Sequence, residues 1–227
     1  MSQHPLHAEV IPAREAGSRK LLVMLHGLGD SVDGYRWMPA EMDLPWLNYL
    51  LVNAPDEYYG GYSWFDFRGE LGLEAELPEV DVGGVERSRR LLWELLDAQR
   101  AKGFPTEQMV LGGFSQGCVM SLDVGLRYPH RFACMVGISG FVCEPEKLIK
   151  ELSPVAREQR LLLTHGTYDP MIPFPMVRAQ VALLEKAGLN IEFHEFSKAH
   201  TIAGKEELNL LRDFVCAAIP SDTRRTG

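Results

Sequence analysis

The chain has 227 residues, of which 46% are hydrophobic and 24% are charged. Such a length and mixture are typical of one compact domain with a substantial core, so we expect residues 1–227 to form a single domain with a frayed tail at 220–227. The formal charge of −8 opposes binding to phosphate backbones and argues against a nucleic-acid partner.

The N-terminal segment lacks the charged start and apolar run of a secretion signal, and no later apolar stretch is long enough to span a bilayer. We therefore expect a cytoplasmic protein without integral membrane association. The cysteines form neither a disulfide framework nor a C-x-x-C pair. We expect them to be reduced and mostly buried, with Cys118 as apolar filler: Cys118, Cys134, Cys143 and Cys216.

Short apolar runs rich in Leu, Val and Ile recur along the chain. Because they lack polar alternation, they predict strands that are covered on both faces, at 21–25, 47–52, 109–111, 135–138 and 161–163. Weaker signals predict an antiparallel edge strand at 8–11 and a late strand at 191–196.

Between these runs, apolar residues recur at helical spacing before Gly103, before Gly188 and near the C-terminal end. Pro175 fits the first turn of the second of these helices, and Gly188 fits its left-handed C-terminal cap. The alternation of strands and helices predicts an α/β protein with a mostly parallel central sheet and helices on both faces, a three-layer αβα arrangement.

Residues 56–79 interrupt this alternation with Gly, Tyr, Trp and acidic residues. The segment is longer than most connections in a compact domain. We therefore expect it to be a functional loop.

The stretch Gly113-Phe114-Ser115-Gln116-Gly117 has the G-x-S-x-G pattern. A serine hydroxyl is a poor nucleophile and needs both a base and an exposed position, and this pattern supplies the exposure through a sharp strand-to-helix turn. An apolar strand precedes the turn and an apolar helical segment follows it, as in an α/β-hydrolase fold. The pattern therefore predicts Ser115 as the nucleophile.

In this fold the acid and the histidine follow the serine in chain order, each on a loop after a strand. Asp169 follows the strand at 161–163, and His200 follows the strand at 191–196. Glu144 and Asp66 are weaker candidates for the acid. Of the other histidines, His194 lies inside a strand, whereas His26 and His165 precede glycines and are expected to orient loops.

With these roles, His200 exchanges a proton with Ser115 and the leaving group, while Asp169 fixes the imidazole tautomer. The developing oxyanion needs two amide donors, which we assign to Gln116 and to Leu28 in the loop Leu25-His26-Gly27-Leu28-Gly29-Asp30. No spacing of His, Cys, Asp and Glu predicts a metal site, and no nucleotide motif is present, so we expect no cofactor.

The chain resembles the phospholipase and carboxylesterase family that includes the acyl-protein thioesterases. The resemblance rests on motifs spread along most of the chain: Leu25-His26-Gly27-Leu28-Gly29-Asp30-Ser31, Asn53-Ala54-Pro55, Trp64-Phe65-Asp66, the serine pentapeptide, Ser139-Gly140, His165-Gly166 and Asp169-Pro170-Met171-Ile172-Pro173. It implies a cofactor-independent hydrolase of carboxylic esters or thioesters that uses the same triad and the same amide donors.

The substrate is the least transferable part of the resemblance, because the segment before Trp64 is shorter than is usual in the family. We expect an acyl ester or thioester of short to medium chain length as the partner molecule, and a monomer or weak homodimer. Five residues are candidates to line the acyl channel: Tyr62, Trp64, Phe65, Met171 and Ile172. The aromatic ones equally suit packing against the core.

Two alternatives stay open. A lysophospholipase or protein deacylase would need an apolar groove for a long acyl chain. A binding protein that keeps the fold without the chemistry would not need an intact serine, acid and histidine in this order.

Overall fold

The computed structural model describes residues 6–68 and 79–221. Seven strands form the main sheet, and all seven were predicted to within three residues at either end. They are β1 Ala8–Ile11, β2 Lys20–Leu25, β3 Leu47–Val52, β8 Met109–Phe114, β9 Cys134–Ile138, β10 Arg160–Gly166 and β11 Asn190–Phe196. Their order in space is β1-β3-β2-β8-β9-β10-β11, with β1 antiparallel to β3 and every other pair parallel.

In the part of the chain that the structure describes, six α-helices accompany the sheet: α1 Met38–Met42, α2 Val82–Ala101, α3 Gln116–Arg127, α4 Pro145–Lys150, α5 Phe174–Lys186 and α6 Gly204–Ala218. Single 3₁₀ turns occur at Val32–Tyr35, Thr106–Gln108 and Ala156–Glu158. The α5 helix is punctuated as predicted, with Pro175 in its first turn and Gly188 at a φ of +88° beyond its last turn.

Apolar residues pack against both faces of the sheet. Along β2, Leu21, Val23 and Leu25 face the core under α2, α3 and α5, while Leu22 and Met24 face the core under α1 and α6. This alternation follows from the two-residue period of a strand. The predicted three-layer α/β arrangement, that of the α/β-hydrolase fold, is confirmed.

The segment that interrupts the predicted alternation is more regular than expected. Strands β4 Asp56–Tyr58 and β5 Gly61–Ser63 form a hairpin, and β6 Phe67–Arg68 pairs with β7 Glu79–Val80. Strands of two or three residues are too short to produce a periodic pattern, which is why the sequence indicated only a loop. Residues 69–78 of this segment, and 222–227 of the predicted tail, lie outside the described residues.

Parallel pairing brings the carboxyl ends of the central strands to one edge of the sheet. Leu25 lies opposite Gly113, and Phe114 lies opposite Ile138. The residues that follow β2, β8, β10 and β11 therefore converge there. This is the edge at which open α/β sheets bind ligands.

Candidate active site

Ser115 lies in the tight turn between β8 and α3. Its φ of +54° and ψ of −119° are strained for a residue with a side chain. The turn requires glycine on both sides, since a Cβ on Gly113 would lie 2.1 Å from the Gly117 carbonyl oxygen and one on Gly117 would lie 2.0 Å from the Leu25 carbonyl oxygen. Steric contacts of the backbone therefore hold Ser115 at the edge of the sheet.

His200 lies in the loop between β11 and α6, 85 residues beyond the serine. Its Nε2 is 2.9 Å from Ser115 Oγ, and its Nδ1 is 2.7 Å from Asp169 Oδ2. A carboxylate oxygen accepts hydrogen bonds only, so Nδ1 carries the proton and Nε2 is free to accept the serine hydroxyl proton. The structure thus brings the three predicted triad residues into one hydrogen-bonded chain.

Asp169 is the buried end of this chain. Its other oxygen, Oδ1, accepts the backbone N–H groups of Met171 and Ile172, each at 2.9 Å. Burial alone would raise the pKa of Asp169, but the hydrogen bonds from His200 and from these amides outweigh burial and hold the pKa below its usual value. The carboxylate is therefore ionised at neutral pH.

The Leu28 amide lies in the loop after β2, and the Gln116 amide is that of the first residue of α3, directly after Ser115. Gly27 touches the nucleophile turn, because a Cβ there would lie 3.2 Å from Ser115 Cβ. Across the described ranges, neither the Leu28 amide nor the Gln116 amide donates a hydrogen bond to a protein acceptor. Two unpaired amides beside a serine hydroxyl form the arrangement that binds an oxyanion.

His26 is buried behind the Leu28 loop. Its Nδ1–H donates to the Gly27 carbonyl at 2.6 Å, and its Nε2 accepts the Ala54 amide at 3.0 Å. These partners fix the tautomer, and burial lowers the pKa of His26 so that the ring is neutral at pH 7. Its contacts tie the Leu28 loop to the segment after β3, which is the orienting role expected from the sequence.

His165 is a second buried histidine, and it lies next to the loop that carries Asp169. Its Nε2–H donates to the Ile172 carbonyl at 3.0 Å, and burial lowers its pKa as well. The ring thus anchors the loop that carries Asp169. Neither His26 nor His165 contacts Ser115, in agreement with the prediction.

A pocket of about 210 Å³ opens beside Ser115 and His200. Of the described residues, its apolar lining consists of Leu28, Phe67, Phe114, Phe141, Met171 and Ile172, with Asp30 as its charged member. Met171 and Ile172 were predicted to line an acyl channel. The three phenylalanines were not, although Phe114 is part of the motif that contains Ser115 and Phe141 directly follows the motif that contains Gly140.

The other three predicted channel residues were wrong. Trp64 and Phe65 have no exposed surface, and Tyr62, which is half-buried in β5, is not among the residues that line the pocket. Trp64 Nε1–H donates to the His26 carbonyl at 2.9 Å. Trp64 and Phe65 belong to the core and Tyr62 packs against it, the alternative that residue type alone could not exclude.

The Gln116 side chain has a role that the sequence did not indicate. Its Oε1 accepts the Trp64 amide at 3.0 Å, and its Nε2–H donates to the Phe65 carbonyl at 2.7 Å. The residue after the nucleophile therefore fixes segment 64–65 while its own amide stays available beside Ser115.

The four cysteines are free, and three of them are buried. Burial raises the pKa of the Cys118 thiol to about 12, so it is un-ionised and unreactive as a nucleophile. The sulfur fills space beneath Gly137 and Gly140. The apolar role predicted for Cys118 agrees with this packing.

Among residues 6–68 and 79–221, no three His, Cys, Asp or Glu side chains are arranged to hold a metal ion. Within the same ranges, no helix has the length and apolar character needed to cross a membrane.

Comparisons with known proteins agree with the geometry. Residues 6–219 match the family described as phospholipase/carboxylesterase. Acyl-protein thioesterase 1 of Schizosaccharomyces pombe is 36% identical over 170 residues, which cover 72% of this chain and 74% of that protein. Acyl-protein thioesterase 1 of Debaryomyces hansenii is 30% identical over 230 residues, covering 92% of this chain and 97% of that protein.

Among solved structures, esterase PE8 superposes with a TM-score of 0.82 at 27% identity, covering 94% of this chain and 99% of that one. The match to the family spans nearly the whole chain and includes every residue of the hydrogen-bonded chain and both candidate oxyanion amides. The chain therefore belongs to the phospholipase and carboxylesterase family of α/β-fold hydrolases, enzymes of the carboxylesterase and thioesterase type.

Proposed function

We propose that the protein cleaves carboxylic esters or thioesters of short to medium acyl chains through an acyl-enzyme on Ser115. The observation that carries the proposal is the continuous chain of hydrogen bonds from Ser115 Oγ through His200 to Asp169. This geometry supplies a nucleophile, a base in the correct tautomer and a group that stabilises the charged base.

In the first half-reaction, Ser115 Oγ attacks the acyl carbonyl carbon while its proton moves to His200 Nε2. The negative charge that develops on the carbonyl oxygen is stabilised by the amides of Leu28 and Gln116. Asp169, ionised because of its lowered pKa, stabilises the imidazolium. The bond to the leaving oxygen or sulfur then breaks, and His200 returns the proton to the departing alcohol or thiol.

In the second half-reaction, a water molecule takes the place of the alcohol or thiol. His200 removes its proton, the resulting oxygen attacks the acyl carbon, and the same two amides stabilise the second tetrahedral intermediate. Collapse releases the carboxylic acid and returns the proton to Ser115 Oγ. The cycle needs no group beyond the described residues and water.

The pocket supports the assignment of chain length. At about 210 Å³ it is smaller than the roughly 300 to 1,000 Å³ of typical small-molecule sites. Its walls at Phe67, Phe141 and Ile172 are apolar, which suits an acyl chain better than a charged substrate. Both features favour short to medium chains.

The relatives' name, acyl-protein thioesterase, favours a second candidate, removal of an acyl chain from a protein, and the sequence left open that this chain is long. This reaction uses the same triad but needs room for a chain that extends beyond the pocket. Comparing kcat/KM for thioesters and esters of 4 to 16 acyl carbons separates the two. We expect a steep fall at the long end, and a constant or rising kcat/KM would favour the second candidate.

The experiment that tests the chemistry is the substitution Ser115→Ala, assayed on an activated short-chain ester. We expect a loss of about 10⁴-fold or more in kcat, since the residual rate comes from binding and the oxyanion donors alone. Ser121→Ala is the matched control, because Ser121 is a buried serine in α3, the helix that follows Ser115, and its hydroxyl donates to the Cys118 carbonyl. An unchanged rate in Ser115→Ala would overturn the proposal.

A further inference from the structure

Glu207 is a carboxylate with no exposed surface, near the start of α6 and seven residues beyond His200. Buried carboxylates are rare unless they are paired and hydrogen-bonded. Glu207 is paired with Lys198, whose side chain is also buried, and their Nζ and Oε1 atoms are 2.6 Å apart. The pair lies outside the reacting groups, so the chemistry proposed above does not use it directly.

The two oxygens of Glu207 bind opposite ends of one loop. Oε1 accepts from Lys198, two residues before His200, and Oε2 accepts the amide of Ala203, three residues after His200. Between the backbones of residues 197–203, all of which the structure describes, the one hydrogen bond is local, from the Thr201 amide to the Ala199 carbonyl. A single carboxylate therefore clamps the loop on both sides of the histidine.

Lys198 also connects this loop to the acid loop. Its carbonyl accepts the Tyr168 amide at 3.2 Å, next to Asp169 in the chain. Gly166 leaves space for this approach, because a Cβ there would lie 2.4 Å from the Lys198 carbonyl oxygen. The strands that carry the two loops, β10 and β11, are hydrogen-bonded neighbours. One residue thus joins helix α6, the histidine loop and the acid loop.

We propose that Lys198 and Glu207 are positioning residues that hold His200 in reach of Ser115, an inference that rests on the proposed function in which His200 is the base. A buried ion pair by itself is weak evidence for a stabilising role, since apolar residues of similar volume often stabilise a fold equally well. What distinguishes this pair is its place at both ends of the loop that carries the base.

The test replaces the pair with apolar side chains in the double variant Lys198→Met/Glu207→Leu. This change removes the clamp without leaving a single charge buried, so we expect a Tm close to that of the parent protein. We expect kcat to fall about tenfold to a hundredfold with KM nearly unchanged, since a small displacement of a catalytic group has effects of this size. The rate of Ser115 labelling by a fluorophosphonate should fall by the same factor.

Asp123→Asn is the matched control. Asp123 is a buried carboxylate in the second half of α3. It pairs with Arg127 of the same helix and with Arg89 of α2, and it has no contact with the loop that carries His200. Breaking this pair should lower Tm by roughly 10 °C and leave kcat unchanged. Glu207→Gln provides a second variant that keeps the side-chain volume and removes the charge, with a smaller loss of kcat expected than in the double variant.

A double variant that folds and has the parent kcat and labelling rate would overturn the positioning role. Loss of kcat in Asp123→Asn equal to that of the double variant would overturn it as well, because destabilisation alone would then explain the loss. Failure of the proposed function has a different signature, namely that Ser115→Ala keeps its activity whatever the double variant does.

Discussion

The two sides of the active site are held in place by different forces. On the nucleophile side, backbone contacts of Gly113 and Gly117 force the turn that presents Ser115. On the other side, side chains position the partners: His165 anchors the loop of Asp169, and His200 lies in a loop whose ends meet at Glu207. Steric exclusion leaves a signature in the sequence, because only glycine fits. Side-chain hydrogen bonds between distant residues leave none.

The largest effect expected on the nucleophile side is that of Gly117→Ala. The new Cβ would lie 2.0 Å from the Leu25 carbonyl oxygen and 2.7 Å from that of His26, neither of which can move without disturbing β2. We expect loss of all measurable esterase activity and a clearly lowered Tm by circular dichroism.

Gly83→Ala is the matched control for this prediction. Gly83 is likewise the second residue of its helix, but a Cβ there would meet its nearest atom, Asp81 Oδ1, at 3.5 Å. Alanine should be neutral or stabilise α2 by up to about 1 kcal/mol. Equal behaviour of the two variants would show that close backbone packing is not what holds Ser115.

On the partner side, Asp169→Asn tests positioning by a hydrogen bond. The amide nitrogen can donate to His200 Nδ1 and favour the wrong tautomer, so we expect a loss of kcat of about 10⁴-fold with the fold retained. Glu144→Gln should have no effect on kcat, because Glu144 bonds an exposed Lys147 instead of His200. A rate within tenfold of the parent in Asp169→Asn would remove Asp169 from the mechanism.

The aromatic segment provides a contrast between core and pocket. Trp64→Ala removes a fully buried ring and its hydrogen bond to the His26 carbonyl, so we expect the free energy of unfolding to fall by about 3 to 5 kcal/mol.

Met171→Ala shortens the side chain of a pocket residue that is 44% exposed. We expect a change of at most about 0.5 kcal/mol in stability together with altered kcat/KM across acyl lengths.

Urea unfolding measures the first effect and a substrate series the second. If Trp64→Ala kept its stability and changed only the acyl preference, Trp64 would belong to the channel after all.

The last expected effect is a pH dependence of stability, which the two anchoring histidines create. Burial lowers the pKa of both His26 and His165 in the folded protein below the value of about 6.5 in the unfolded chain. Below that pH the unfolded state binds more protons, so the free energy of unfolding falls as the pH falls. Each ring contributes up to about 1.4 kcal/mol per pH unit.

We expect lower stability at pH 5.5 than at pH 7.5 in urea unfolding, and little contribution from these rings between pH 7.5 and 8.5, where they are neutral in both states. The lowered pKa of Asp169 acts in a separate window, since its stabilisation is lost only as the pH falls below about 3.9. Equal stability at pH 5.5 and 7.5 would contradict the neutral, buried state of the two rings.

The sequence predictions were accurate where a local pattern or the order of residues along the chain carried the information. Buried strands were predicted because they are continuous apolar runs, and Ser115, Asp169 and His200 were selected by chain order and their place after strands. The hairpin at 56–63 was missed because its strands are too short to show a period. Trp64 and Phe65 were misassigned because residue type does not reveal which side of a short segment faces the core.

The phenylalanines of the pocket and the partners of Glu207 depend on contacts between residues far apart in the chain. Phe67 and Phe141 meet at the pocket from separate connections, and Glu207 joins both ends of a loop that precedes its own helix. No local pattern encodes such meetings. These contacts exist only in the folded structure.

The central claim is that Ser115 receives the acyl group, and trapping that intermediate tests it most directly. The protein is mixed with an activated short-chain ester, quenched in acid within the burst phase and examined by peptide mass spectrometry. We predict one acyl adduct, on the peptide that contains Ser115, and none in Ser115→Ala. An adduct on another residue, or hydrolysis that proceeds equally well in Ser115→Ala, would contradict the account.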